Sequence, residues 1–238
     1  VNVRHEDVRD VKIRNVTVTA LTMARVISFN QTGRVRSAQI DGITCNVPFA
    51  GPLVHVGTGM TVDELQLSNV SAEQSATGSI VANTGHIGTA QLSNIVHKSG
   101  RALADIQGGT LGRLVVNGLH STALLGLFLN AVTTVEMFAS GVSSVPTSGL
   151  LASLQATGAS ILLRGSDLTG AGPHIGRNNP GTLRAVGAAV RADAALLSPQ
   201  AGDIVHNTNA TLPCGVGPVA WTGTAWTSLA VPPPVQIT

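Results

Sequence analysis

The sequence predicts an all-β protein: a right-handed parallel β-helix of about seven coils, closed by a small β-rich C-terminal module. Three observations predict it. A six-residue motif recurs at a near-constant period. Its fifth position is always a residue that tolerates the left-handed region. The composition supplies aliphatic side chains for a layered core but few charges and few rings.

The motif is apolar, any, apolar, any, turn residue, apolar. Its copies are Val11-Lys-Ile13-Arg-Asn15-Val16, Ala38-Gln-Ile40-Asp-Gly42-Ile43, Leu65-Gln-Leu67-Ser-Asn69-Val70, Ala90-Gln-Leu92-Ser-Asn94-Ile95 and Leu114-Val-Val116-Asn-Gly118-Leu119. Two weaker copies follow, Met137-Phe-Ala139-Ser-Gly141-Val142 and Leu163-Arg-Gly165-Ser-Asp167-Leu168. Their last apolar positions, 16, 43, 70, 95, 119, 142 and 168, differ by 27, 27, 25, 24, 23 and 26. That spacing suits one coil of three short strands and three turns. It is too irregular for a hexapeptide repeat and lacks the leucine-rich pattern.

Asn15, Gly42, Asn69, Asn94, Gly118, Gly141 and Asp167 hold the fifth position. Gly enters the left-handed region freely, and Asn and Asp are the next most tolerant types. A sharp corner between two strands requires such a residue. The apolar positions two apart then share one face. Gln39, Gln66 and Gln91 lie between them and should stack as an outward ladder whose amides can hydrogen-bond along the axis. A second strand precedes each corner, as at Val26 to Phe29, Leu53 to Val56, Ser79 to Ala82, Ala102 to Asp105, Leu127 to Asn130 and Leu150 to Leu154. A third follows it, as at Val16 to Thr19. One coil alone leaves open edges and half a core, so several must stack. A twisted β-sandwich would explain the alternation but not the shared motif at this period.

Hydrophobic residues make up 43% of the 238 and charged residues 11%, with 27 Gly, no Tyr, four Phe and two Trp. The usual charged share is about 25%. The core is therefore expected to be aliphatic. Net charge is +2, and Arg4, Arg9, Lys12 and Arg14 alternate with Glu6, Asp7 and Asp10. Without a dense basic cluster or a stacking platform, no nucleic-acid partner is expected. No apolar run approaches about 18 residues, so no membrane insertion is expected. The first residues read as strand rather than signal peptide, and the chain is expected to begin inside a larger protein. Cys45 and Cys214 are expected to be free thiols.

The pattern fades after about residue 170. Residues 1–175 are assigned to the β-helix, 176–200 to a connecting segment, 201–230 to the C-terminal module and 231–238 to a Pro-rich tail. Residues 188–197 suit either a short helix or a last coil.

Gly202-Asp203-Ile-Val-His-Asn207-Thr208-Asn209, then Cys214-Gly215-Val-Gly217-Pro218-Val, then Gly223-Thr-Ala-Trp226 resembles the C-terminal module of phage and prophage tail proteins, in which a similar run follows a pectate-lyase-like β-helix. The resemblance covers about residues 198–230; the coils before it resemble that superfamily in architecture only. It implies a segment of a tail spike or tail fibre: a homotrimer, in the virion tail beside other phage tail proteins, binding the host bacterium's surface polysaccharide and often cleaving it. The alternative is an extracellular one, a secreted bacterial polysaccharide lyase or an adhesin with a β-helix passenger. An active chain would be a glycoside hydrolase or a polysaccharide lyase.

Glycoside cleavage commonly needs two carboxylates at a defined separation. Asp63, Glu64 and Asp10 are the candidate catalytic residues. In a stacked arrangement Glu64 lies one coil from Ser37 and two from Asp10, a separation of about 10 Å, near the upper end of the inverting range. As neighbours in a strand, Asp63 and Glu64 are expected on opposite faces. Solvated surface charges are the plainer reading of all three. Trp221 and Trp226 are the candidate glycan-binding residues, although Trp in so small a module more often forms its core. The seven histidines are scattered without zinc-like spacing and read as turn or surface residues, so no metal and no cofactor is expected. No phosphate-binding glycine loop is present. The sequons at Asn15, Asn69 and Asn209 are read as chance. Trimerisation has a physical rationale in Val115, Phe138, Leu124-Leu125 and Leu127-Phe128, more apolar outward positions than one solenoid face should expose.

Overall fold

A computed structural model describes residues 1–3, 7–19, 25–75, 77–121, 125–143, 152–164, 182–186, 191–192, 194–197, 199–207 and 209–229. Asp167, Glu6, His5, His174, Leu124, the loop signals between 170 and 181 and the 231–238 tail lie outside them, as do the side chains of Leu125 and Phe128.

The strands in chain order are Asn2–Val3 (β1), Asp7–Val18 (β2), Ile27–Phe29 (β3), Gly33–Phe49 (β4), Val54–Val56 (β5), Met60–Gln74 (β6), Ser79–Asn83 (β7), His86–Ser99 (β8), Ala102–Gln107 (β9) and Thr110–Ser121 (β10). Then come Leu125–Asn130 (β11), Thr134–Ser143 (β12), Ala152–Leu154 (β13), Ser160–Arg164 (β14), Thr182–Val186 (β15), Arg191–Ala192 (β16), Ile204–Asn207 (β17), Gly217–Trp221 (β18) and Trp226–Ser228 (β19). Short and long strands alternate along the chain and sort into two parallel sheets. The short ones pair in the order β1-β3-β5-β7-β9-β11-β13, the long ones in the order β2-β4-β6-β8-β10-β12-β14-β15. The chain is thus a parallel β-solenoid of about six turns. β15 extends the long sheet beyond residue 175, inside the stretch expected to be a connector.

The corner column is present. Asn15, Asn69 and Asn94 have φ of 55°, 54° and 52°, and Gly42, Gly118 and Gly141 have φ of 74°, 71° and 62°. The flanking residues pair in register from turn to turn: Arg14 with Asp41, Asp41 with Ser68, Ser68 with Ser93, Ser93 with Asn117 and Asn117 with Ser140. Gly42 is close against its neighbour: an added Cβ would lie 3.1 Å from Asn15 Oδ1. Gln39, Gln66 and Gln91 also pair in register. The side-chain ladder, however, forms at the corner, from Asn94 to Asn69 to Asp41.

The long strands β2, β4, β6, β8 and β10 break their alternation a second time, five residues earlier; β12 does not, its Val135 and Met137 being buried on either side of Glu136. In β6, Met60, Val62, Leu65, Leu67, Val70 and Ala72 are buried, while Asp63 and Glu64 both face outward between Val62 and Leu65. Arg36-Ser37, Gly88-Thr89 and Gly112-Arg113 occupy the same place in their turns. No residue type marks this offset, because the backbone there does not enter the left-handed region. Close approach is required at Gly88, where a Cβ would lie 2.6 Å from the Asp63 carbonyl oxygen.

The core is mostly aliphatic, as expected, with layers such as Ile40, Leu67 and Leu92 or Ile43, Val70 and Ile95 at 0–2% exposure. Burying each such side chain is worth about 1.5–3 kcal/mol, and only stacked neighbours provide that burial. Phe29 and Phe49 are also fully buried, so the core is not free of rings.

In the C-terminal module β17, β18 and β19 form an antiparallel sheet, and β16 joins β17 in parallel. Among the described residues, 188–197 contribute the short strand β16 and a 3-10 turn, Ala194–Leu196. Asn207 is fully buried and clamps the module. Its Nδ2 donates to the carbonyls of Asn209 (2.8 Å) and Gly215 (2.6 Å), and its Oδ1 accepts from the Ala194 (3.1 Å) and Asn209 (3.0 Å) amides. Arg184 of β15 ties the solenoid to this sheet through a two-pronged pair with Asp203, at 2.8 and 2.7 Å. Cys45 and Cys214 are free thiols.

Candidate functional site

The predicted carboxylates fall where the repeat puts them. Asp10 pairs with Ser37 and Ser37 with Glu64, so Asp10 and Glu64 stand two turns apart in one exposed column. Asp63 does not face away from Glu64; the offset turns both outward. The Asp63 carboxylate takes the Arg34 Nε–H on both oxygens, at 3.0 and 2.9 Å, which occupies it with a neighbour from the preceding turn. Asp10 is exposed, with Arg9 at 3.8 Å. None of the three is among the residues lining the clefts found among the described residues.

Trp221 and Trp226 pair across β18 and β19 with ring centroids 5.3 Å apart at 63°, an edge-to-face contact. The Trp226 indole N–H donates to the Ala194 carbonyl at 3.0 Å, and its ring packs on the core. Both rings are half-buried.

The trimer rationale changes in part. Leu127 is fully buried inside the stack. Val115 and Phe138 are half-buried, and the Arg113 guanidinium lies 4.3 Å from the Phe138 ring centre. The cation covers part of the apolar face that was expected to be open.

A cleft lies elsewhere, on the outer face of the short-strand sheet. It has a volume of about 360 Å³ and takes side chains from successive turns, among them Arg25, His55, Asn83, Arg101, Asp105 and Gln107. Ligand sites commonly span about 300–1,000 Å³. Parallel register builds its floor: Ser28 pairs with His55, His55 with Ala82 and Ala82 with Asp105. Ser28, His55, Ala82 and Asp105 therefore form one column across β3, β5, β7 and β9.

Asp105 is the chemical centre of this cleft. It is 4% exposed. Its Oδ2 accepts from Gln107 Nε2 at 2.9 Å and lies 3.6 Å from Arg101 Nη1. No well-formed hydrogen bond reaches its buried Oδ1, although the Ser79 hydroxyl also acts on this carboxyl. Burial pushes its pKa up, against the opposing pull of Gln107, Arg101 and Ser79. His55 is held neutral: burial first, and the Arg25 cation second, lower its pKa to about 4. Its Nδ1 lies 3.4 Å from the Ser28 hydroxyl. Ser28, His55 and Asp105 are not a catalytic triad, because His55 and Asp105 are two rungs apart, about 10 Å.

The histidines correct the sequence reading at two places. His55 sits in a strand and is 7% exposed; His97 is fully buried, with both ring nitrogens unpartnered and a pKa lowered to about 4 by desolvation. Among the described residues no cluster of His, Cys, Asp or Glu could hold a metal. The signal for the cleft was present but faint. Val54-His-Val56 and Ala102-Leu-Ala-Asp105-Ile106 each place a polar residue inside an apolar strand, where a polar group needs a reason to be.

No family model matches the chain, and no curated protein or solved structure is significantly similar to it.

Proposed function

We propose that the chain is a segment of a phage tail spike or tail fibre that binds bacterial surface polysaccharide in the cleft around Asp105. The observation that carries this reading is the cleft itself. Three successive turns of a rigid ladder hold His55, Asn83 and Asp105 in it. Sugars are bound by such fixed polar groups, which keep the entropic cost of ordering low. The run of residues 202–226 supports the tail assignment, with a homotrimer and neighbouring tail proteins as its partners.

Binding is favoured over hydrolysis. Among the described residues lining the cleft, Asp105 is the one carboxylate, whereas glycosidases use two about 5–10 Å apart. Asp63 is paired with Arg34, and Asp10 and Glu64 stand on the long-strand sheet instead.

The test is a binding screen of the purified chain against bacterial capsular and lipopolysaccharide glycans, with light scattering at micromolar concentration. Binding to particular glycans and a three-chain mass are expected. Failure to bind any glycan removes the receptor-binding reading, and a clean monomer removes the trimer.

A further inference from the structure

Asn117 and Gly118 form the corner of β10, and both are exposed. In an Asn-Gly pair the side-chain amide is most open to its own main chain, because glycine puts no side chain beside the attacking nitrogen. The pair occurs once in the 238 residues. The corner adds to this intrinsic reactivity. Gly118 has φ of 71° and lies outside the paired register, which passes from Asn117 to Leu119 on both sides. Gly141 of the following turn leaves the Gly118 nitrogen uncovered, since a Cβ at 141 would lie 3.3 Å from it. A cleft of about 210 Å³, with Gly118, His120 and Gly141 in its lining, opens there to water. The Ser140 hydroxyl donates to Asn117 Oδ1 at 2.7 Å. That bond polarises the amide carbonyl and stabilises negative charge developing on its oxygen.

The same column shows how an aspartate sits in this place. Asp41 precedes Gly42 as Asn117 precedes Gly118. Its Oδ1 accepts from the Ser68 hydroxyl of the following turn at 2.7 Å, as Asn117 Oδ1 accepts from Ser140. The carboxylate form is favoured there, by the Ser68 bond above all. We infer that Asn117 is a site of spontaneous deamidation, and that its product is an aspartate held by Ser140 without disturbance of the stack. The Gly118 nitrogen gives up its proton to water and bonds to Asn117 Cγ. The Cγ–Nδ2 bond breaks, ammonia leaves and a succinimide ring closes. Water then opens the ring. Attack at Cγ restores the main chain and gives aspartate. Attack at the main-chain carbonyl carbon gives isoaspartate, which lengthens the backbone between Asn117 and Leu119. Both of those residues are paired to neighbouring turns, so the register opposes that product. Over the whole reaction one water is consumed, one ammonia is released and one negative charge is gained. The inference stands apart from the glycan-binding reading.

In the experiment the full chain is incubated for weeks at mildly alkaline pH and body temperature. Its proteolytic peptides are mapped by mass spectrometry, with aspartate and isoaspartate separated by chromatography. The chain held unfolded in urea is the reference. Asn69 and Asn94, corner asparagines followed by Val70 and Ile95, are internal controls. In the folded chain, conversion is expected at Asn117 and not at Asn69 or Asn94, with aspartate as the main product; in urea isoaspartate should dominate. Ser140→Ala, an exposed change, should slow the conversion about two- to tenfold, as loss of one hydrogen bond predicts. Asn117→Asp, the product made directly, should melt at the temperature of the parent. No conversion at Asn117 in the folded chain overturns the inference, whatever happens in urea. Isoaspartate as the main folded-state product, or an Asn117→Asp variant melting well below the parent, overturns the claim that the stack holds an aspartate here. A Ser140→Ala rate equal to that of the parent overturns the part given to Ser140.

Discussion

Asn94 donates its side-chain amide to the Asn69 side chain of the preceding turn, at 2.6 Å. Asn69 donates in turn to Asp41 Oδ1 at 2.7 Å, where the Ser68 hydroxyl also arrives at 2.7 Å. The Ser68 bond first, and the Asn69 bond second, hold the Asp41 carboxyl below its ordinary range. One residue type thus serves two needs at the corner. Asn tolerates the left-handed backbone, and its amide links one turn to the next.

The two needs separate by mutation. Asn69→Gly keeps the backbone conformation and loses only the exposed amide bonds, a change of about 1 kcal/mol or less. Asn69→Ala loses the same bonds and adds a left-handed cost of about 1–2 kcal/mol. The Ala variant should therefore unfold at lower urea concentration than the Gly variant. Equal midpoints would show that backbone strain does not select the corner residues.

Acid should weaken the fold through His55 and His97. Their pKa values fall from 6.5 to about 4 on folding, so the native state binds fewer protons than the unfolded chain. The stability they contribute is complete above pH 6.5 and is lost progressively as pH falls toward 4. At about 1.4 kcal/mol per unit, the loss is on the order of a few kcal/mol for each. His97→Leu removes two buried, unpartnered nitrogens and one of these titrations. It should raise stability at pH 7 by about 1–2 kcal/mol and flatten the acid limb of a thermal-melt series. A variant as acid-sensitive as the parent would rule out His97 as a source.

Asp105 has the opposite sign. Its folded pKa is raised, so its contribution is complete below the ordinary value of 3.8 and is lost as pH rises through the raised one. Asp105→Asn abolishes that loss. The variant should gain on the parent with increasing pH, with the two converging in acid, as read from melting temperature between pH 3 and 7. If the gap does not vary with pH, Asp105 is not destabilised by burial.

Asp203→Asn should loosen the C-terminal module. Burial alone would raise the Asp203 pKa, but the Arg184 guanidinium and the Gln200 backbone N–H together outweigh it and hold the carboxyl below its ordinary range. Asp203 is 5% exposed and Arg184 32%, so Arg184 can recover some hydration when its partner is lost. The cost is about 2 kcal/mol, below the value for a fully buried pair. Amide exchange should accelerate in β18 and β19 while the central solenoid strands keep their protection. Uniform acceleration would mean the module does not open on its own.

The corner column was legible in the sequence because the left-handed backbone restricts residue type, and Asn15, Gly42, Asn69 and Asn94 obey that restriction at every turn. The inward alternation at Leu65 and Leu67 was legible for the same kind of reason. The offset at Asp63 and Glu64 was not, since ordinary backbone accepts any residue and Arg36, Asp63 and Gly88 share nothing. The cleft was hidden differently. Its residues come from turns about 25 positions apart, and only the register that pairs His55 with Ala82 and Ala82 with Asp105 brings them together. The surface reading of His97 follows from its polar side chain, although its place two residues after Ile95 puts it on the inward face.

The distance along the chain from offset to corner is constant: Arg9 to Asn15, Arg36 to Gly42, Asp63 to Asn69, Gly88 to Asn94 and Gly112 to Gly118. Across these five turns the drift in repeat length therefore falls on the remaining arc; only at β12 is one residue lost from the offset itself, Val135 standing where Leu111 does one turn earlier. Over those turns one wall of the tube has a fixed gauge, in which a single inserted residue would exchange interior for exterior. The other wall is elastic, and it is the one that carries Thr77, Thr84 and Arg101 at the mouth of the cleft. Lineages of such a molecule can refit the ligand mouth by lengthening or trimming that wall while the gauge side holds the stack in step.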